Sequence, residues 1–179
     1  MKAFIRFLFL FFALVFFQNC KKTTTDPSPT VIIPHLLNNS KGCGDFQVAQ
    51  IINDNYLMIV RFDYTKINFK TDWQVFDDVS GKDFVVVELV ETCNPYVYFQ
   101  NFCNDTPKTI DCGAAKIWEL KKAKVSFKVD KILPKYGEAV SYKASVLVES
   151  ADFQDFALKK IKRIDKMSFT DVLVGWNPG

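Results

Sequence analysis

Chemistry in this chain would have to come from carboxylates, cysteines or aromatic rings, because imidazole is nearly absent. His35 is the only histidine. It lies between Pro34 and the Asn38–Asn39 pair, ahead of the first alternating segment. A Ser–His–Asp or Cys–His nucleophile needs an imidazole within the folded unit, as does the usual catalytic zinc site. The expectation is therefore no enzyme, no metal and no cofactor. Paired carboxylates could still cleave a glycosidic bond. Glu88, Glu91 and Glu119 are the candidates, against the simpler reading of carboxylates at a sheet edge or paired with lysine. Asp77, Asp78, Ser80 and Asp83 lack the D-x-D-x-D-G order and closing Glu of a calcium loop, and read as a solvated turn.

Four cysteines lie well inside the chain: Cys43, Cys93, Cys103 and Cys112. No two stand in a C-x2-C pair, so zinc is not expected. An even number in an oxidising compartment suggests two disulfides, with three possible pairings. The favoured one is Cys43–Cys103 with Cys93–Cys112, the latter closing the base of a long excursion. Each bridge would contribute roughly 2–4 kcal/mol by constraining the unfolded chain.

Aromatic residues crowd between these cysteines. Read as a strand over 96–102, Tyr96, Tyr98 and Phe102 share one face and Phe99 points the other way. An exposed face of this kind would be a platform for a sugar ring or a protein; core packing is the plainer alternative. Trp73 or Trp118 could extend such a platform. Lys159, Lys160, Lys162, Arg163 and Lys166 form a basic run. It reads as a lysine-protected strand face or edge, with anionic lipid or polysaccharide contact as the minority alternative.

The elements that would position these residues are strands. Asp45–Ile52 opens the series, and Asn53–Asn55 is a turn by composition. Tyr56–Tyr64 alternates, with Tyr56, Met58, Val60, Phe62 and Tyr64 on one face and Leu57, Ile59, Arg61 and Asp63 on the other. Ile67–Lys70 and Trp73–Phe76 are shorter candidates, and Asp77–Lys82 reads as a turn. Phe84–Val90 is apolar on both faces except for Glu88, which places it centrally. Ile117–Ile132 and Val140–Glu149 alternate cleanly. Phe153–Ile164 fits either a helix face or a strand bulged near Lys159–Lys160, with strand preferred. Ser168–Trp176 is a last strand. Eight or nine strands at hairpin spacing, without interleaved helices, predict an all-β, two-sheet antiparallel sandwich of immunoglobulin-like architecture over residues 41–179.

The N-terminus sets the compartment. Lys2 and Arg6 precede an apolar run, Phe7–Phe17, followed by Gln18, Asn19 and Cys20. That run is too short to span a bilayer, which needs about 20 apolar residues, and has the geometry of an export signal. A Cys directly after the run, followed by Lys21–Lys22 and a Thr/Pro/Ser tail, resembles bacterial lipoproteins, in which that cysteine is acylated. Phe17 and Asn19 stand where the usual lipobox has Leu and a small residue. The leader, together with GCGDF at 42–46, FCND at 102–105 and GWNPG at 175–179, is similar to uncharacterised lipoproteins of the Bacteroidetes. The resemblance implies signal residues 1–19, lipidation of Cys20 and an outer-membrane location. It implies no activity.

Residues 20–40, carrying Pro27, Pro29 and Pro34, read as a flexible tether. Of 23 Lys and Arg against 20 Asp and Glu, Lys2 and Arg6 would leave with the leader. The exported chain is then near neutral, and no nucleic-acid partner is expected. The expected partners are the membrane, through the lipid anchor, and a glycan or protein. The functional expectation is a lipid-anchored cell-envelope protein with a non-catalytic binding or structural module; a glycan hydrolase built on carboxylates is the remaining alternative.

Overall fold

Long alternating runs become long strands when one face meets a core and the other meets water. In a computed structural model of the chain, describing residues 30–32, 40–80, 84–103, 113–134, 140–155 and 157–175, nine strands and one short helix form. The strands are β1 (Thr30–Ile32), β2 (Ser40–Cys43), β3 (Gln47–Asn53), β4 (Tyr56–Phe62), β5 (Gln74–Val79), β6 (Val85–Glu91), β7 (Lys116–Ile132), β8 (Tyr142–Asp155) and β9 (Lys160–Val174). The helix α1 is Pro95–Asn101.

The expected all-β antiparallel class is what forms. The strands join in the order β1-β9-β8-β7-β6-β4-β3-β2, and β5 pairs with β7 beside the end of β6. All ladders are antiparallel except β1 on β9, where Thr30 to Ile32 run parallel to Ile161 to Arg163. Thr30–Ile32 falls within the segment read as tether, so that part of it is a strand. The sheet curls until its two ends approach. Gly42 on β2 sits so close to β9 that an added Cβ would lie 2.0 Å from the carbonyl oxygen of Leu173.

Inside the curl lies the main core. Val48, Met58, Val60, Phe62, Val87, Leu89, Val125, Phe127, Val129, Ala144, Val146, Val148, Phe153, Ile164, Met167 and Phe169 all belong to it. The alternations read for β7 and β8 point inward as expected, as does the β4 face from Tyr56 to Phe62; Tyr64, read on the same face, lies past the end of β4 and is exposed. β6 is central, between β4 and β7.

The outer faces of β3, β4 and β6 also carry an apolar part, Ala49, Leu57, Ile59 and Val90, and α1 packs on it. Cys43, Ala49, Leu57, Ile59, Val90 and Phe102 form a second buried cluster, with Tyr98 and Phe99 packed on it. The strand expected over 96–102 is therefore a helix. Pro95 at its first turn suits a preset φ, and the Asn94 side chain accepts a hydrogen bond from Val97 N at 3.2 Å. Tyr98, Phe99 and Phe102 then share one helical face.

Three further expectations change. Ile67–Lys70, read as a short strand, is irregular chain ahead of β5. The turn placed at 77–82 begins later, because Asp77, Asp78 and Val79 complete β5, whose register shifts between Phe76 and Val79. Residues 153–164 form a hairpin rather than a helix or a continuous bulged strand. The Asp155 carboxylate accepts from Ala157 N and Leu158 N at 2.9 and 3.0 Å, and Lys159 takes φ 52° at the turn.

The close approach at Gly42 yields a test. Gly42→Ala has no flexible neighbour to displace, because the nearest atom is backbone, so closure must loosen. The expected cost is about 3 kcal/mol, at the upper end of ordinary overpacking, read as a lower urea midpoint. An unchanged midpoint would show that β2 and β9 do not meet there.

Candidate functional site

Opposite ends of the curled sheet carry opposite chemistry. At one end the inward face continues past the apolar core into Tyr56 of β4, Glu91 of β6, Trp118 of β7 and Lys162 of β9. Lys162 is only 9% exposed. Its ammonium lies 4.0 Å from the Tyr56 ring centre and 4.1 Å from that of Trp118. It donates to Glu91 Oε2 at 3.0 Å and also to the Tyr56 hydroxyl. Tyr56 in turn donates to Glu91 Oε1 at 2.8 Å, and Trp118 Nε1 donates to Glu91 Oε2 at 2.7 Å. Lys116 lies 4.5 Å over the Trp118 ring and is paired with Asp155.

This arrangement neutralises a buried cation. A desolvated ammonium is costly unless paired and hydrogen-bonded, and two aromatic faces add cation–π attraction. Burial holds the Lys162 pKa below the usual lysine value, with Glu91 pulling it back. Burial alone would raise Glu91, but hydrogen bonds from Lys162, Trp118 and Tyr56 outweigh it and set the carboxyl below its usual range. Burial, then the bond to Glu91, raises Tyr56 well above an ordinary phenol. Every polar atom named here has a partner inside the cluster, so its chemistry is that of a plug.

The other end is aromatic and open. Phe46, Tyr64, Phe69 and Tyr142 form a chain of rings: Phe69 stacks on Tyr142 at 4.7 Å, Phe46 lies 5.3 Å from Phe69, and Tyr64 stacks on Phe46 at 6.3 Å. Tyr64 is 61% exposed and Phe69 36%. Gly175, at φ 78°, leaves room for Tyr142 and Phe46, which an added Cβ would strike at 2.7 and 2.9 Å.

A cleft of about 540 Å³ is lined by Asp45, Gln47, Arg61, Asp63, Lys66 and Phe84, among others. Its polar groups are held in place. Arg61 donates to Gln47 Oε1 at 3.0 Å and to Glu88 Oε1 at 2.6 Å. Asp63 accepts from the Thr65 hydroxyl and amide at 2.7 and 3.0 Å, bonds that lower its pKa. Asp63 N bonds to Phe84 O at 2.7 Å, fixing the cleft wall.

The residues singled out beforehand are scattered by comparison. Tyr96 is exposed on α1, Tyr98 is half-buried and Phe102 is buried in the second cluster, so they do not form one exposed face. Trp73 is exposed with Lys128 over its ring at 5.1 Å, and Trp118 belongs to the plug. Glu88 and Glu119 both line a groove of about 240 Å³, but Arg61 occupies one oxygen of Glu88. The basic run divides: Lys162 turns inward, Arg163 makes a two-pronged pair with Asp152 at 2.6 and 2.9 Å, and Lys160 and Lys166 are exposed.

Cys43 and Cys103 stand side by side as thiols. Cys93 is disulfide-bonded, and its partner lies outside the described residues, as do Cys20, Cys112 and His35. Among the described residues no His, Cys, Asp and Glu group could hold a metal ion, and no helix is long and apolar enough to cross a membrane. Tyr64 is legible as a ring at the end of an alternating strand. Phe69 and Phe84 carry no such signal. Comparison with family models, curated proteins and solved structures gives no match.

Two outcomes follow from the plug. Lys162→Met would leave Glu91 without its cation and lower stability by about 1–3 kcal/mol, discounted because Glu91 is partly solvated. Thermal unfolding of the variant checks this, and an unchanged melting temperature would contradict it. The lowered folded-state pKa of Glu91 contributes stability that is present above its unfolded value and lost as pH falls through the folded one. Glu91→Gln should therefore flatten part of the acid limb of a stability–pH curve; parallel curves for the two proteins would count against the assignment.

Proposed function

We propose that this chain is an exported, lipid-anchored cell-envelope protein whose β domain is a non-catalytic binding module, with a glycan as its ligand. Export and acylation at Cys20 rest on the leader and its resemblance to Bacteroidetes lipoproteins, with an outer-membrane location following from them. Several acyl chains anchor stably where a single chain is reversible. Facing of the two halves of the curled sheet across one core supports reading the domain as a two-layer, immunoglobulin-like sandwich.

One observation carries the ligand class: exposed Tyr64 follows directly on Asp63, which lines a cleft furnished also with Arg61, Gln47 and Lys66. Sugar rings present an apolar face to stack on an aromatic ring and a rim of hydroxyls for charged and amide groups. The mixed charge of the cleft suits a neutral or weakly charged glycan better than a polyanion. Its groups are already ordered by Glu88, Thr65 and the backbone, which limits the entropy lost on binding.

A glycan panel titrated against the domain by calorimetry tests the reading. Binding should appear for at least one oligosaccharide and fall roughly tenfold or more in Tyr64→Ala and Arg61→Ala, each a loss of about 1.4 kcal/mol. Tyr96→Ala should leave it unchanged. Absence of heat across a diverse panel, or loss only in the Tyr96 variant, would remove the proposal.

A further inference from the structure

The Cys43–Cys103 pair is placed to do something that neither thiol could do alone. Cys43 is buried on β2, at the edge of the sheet. Cys103 is half-exposed and lies just past the end of α1. Cys103 packs against the cluster that contains Cys43, and Cys103 Sγ donates to Gly42 O, on the residue next to Cys43, at 3.7 Å. Lys41 reaches the same junction from β2, donating to Gln100 O at 3.3 Å, with its ammonium 5.7 Å over the Phe102 ring. The end of α1 is thus fastened to β2 only by weak contacts and by apolar packing of Phe102. Beneath it lie Ala49, Leu57, Ile59 and Val90, an apolar surface on which Tyr98, Phe99, Cys103 and Ala115 pack.

We propose that Cys43 and Cys103 form a redox-controlled clasp: oxidation to a disulfide locks α1 over the outer face of β3 and β4, and reduction lets its C-terminal end lift. The proposal rests in part on the export reading, because an exported chain meets oxidants of the thiol–disulfide exchange class. The accessible Cys103 thiolate attacks the disulfide of such an oxidant and expels one of its thiolates. The Cys43 thiolate then attacks Cys103 Sγ in the mixed disulfide, forming the Cys43–Cys103 bond and expelling the second thiolate. The chain loses two electrons and two protons, and the oxidant becomes a dithiol carrying both.

The surroundings make the second step slow. Burial, the largest cause, pushes the Cys43 thiol well above an ordinary cysteine, and it persists when Cys103 is held in the mixed disulfide. Little thiolate is present at neutral pH, so the mixed disulfide accumulates and closure accelerates with rising pH. The clasp is a sluggish element that, once shut, spans β2 and the last turn of α1. Cys93, which is disulfide-bonded, stands immediately before the helix cap. Closure would therefore bracket α1 covalently at both ends.

The test uses the full chain, purified with thiols reduced and exposed to glutathione disulfide across a pH series. Samples are acid-quenched, alkylated and mapped by mass spectrometry, and α1 is followed by amide hydrogen exchange. The expected results are a Cys43–Cys103 cross-linked peptide, a glutathione adduct on Cys103 that precedes it, and roughly tenfold faster closure per pH unit. Exchange over 96–101 should slow at least tenfold in the oxidised form. Cys103→Ser should lose both adduct and cross-link and keep the fast exchange.

A stable adduct that never resolves would overturn the clasp, as would a cross-link that leaves helix exchange unchanged. Because this chemistry is assayed in vitro, recovering the chain from the cytosol of its native cells would defeat the export reading alone. The clasp would stand if the cross-link still formed.

Discussion

One lysine ammonium, held between two aromatic faces and a carboxylate, ties the distant parts of this chain into a single end of the core. Lys162 is 106 residues from Tyr56 and 71 from Glu91, yet all three meet with Trp118. The strands contributing them are β9, β4, β6 and β7, which come from both halves of the curled sheet. A buried charge tolerates little misplacement, since a shift that opens its pair leaves a desolvated ion. The plug therefore constrains register in four strands together, where apolar packing alone would accept a slip more readily.

At the far end no such constraint operates. Phe69 stacks on Tyr142 and Tyr64 on Phe46, with Tyr64 and Phe69 exposed, and in the cleft Arg61 is held by Gln47 and Glu88. The two ends of the sheet thus differ in build: the polar end holds the strands, and the aromatic end presents surface. Between them, the seam at Gly42 and the cover of α1 are the two places where geometry is tight but the fastening is local. Both concern β2, at one end of the strand order.

Much of the sheet was legible because alternation leaves a direct mark. Ala123, Val125, Phe127 and Val129 occupy the core and their lysine neighbours do not. β6 read as central because it is apolar on both sides. α1 was not legible: a run of aromatics has high strand propensity, and Asn94–Pro95 marks a helix start only once a surface needing cover is known. The hairpin at 155–159 was hidden for a similar reason, since Asp155 supplies the turn through backbone contacts that have no period. The plug was least visible. Lys162 looked like one member of a basic run, and its partners are distant in sequence. The aromatic end escaped notice too, because Phe69 lies in irregular chain and its ring gains meaning only beside Tyr142.

The position of the Lys162 side chain can be measured directly through aromatic ring currents. A carbon–proton correlation spectrum of the full chain should contain one lysine whose ε-methylene protons are displaced strongly upfield from all others, and Lys162→Met should abolish that signal. A spectrum in which every lysine ε-methylene resonates at its ordinary solvated position would place Lys162 outside the ring pair, and the account of how the strands are held together would be wrong.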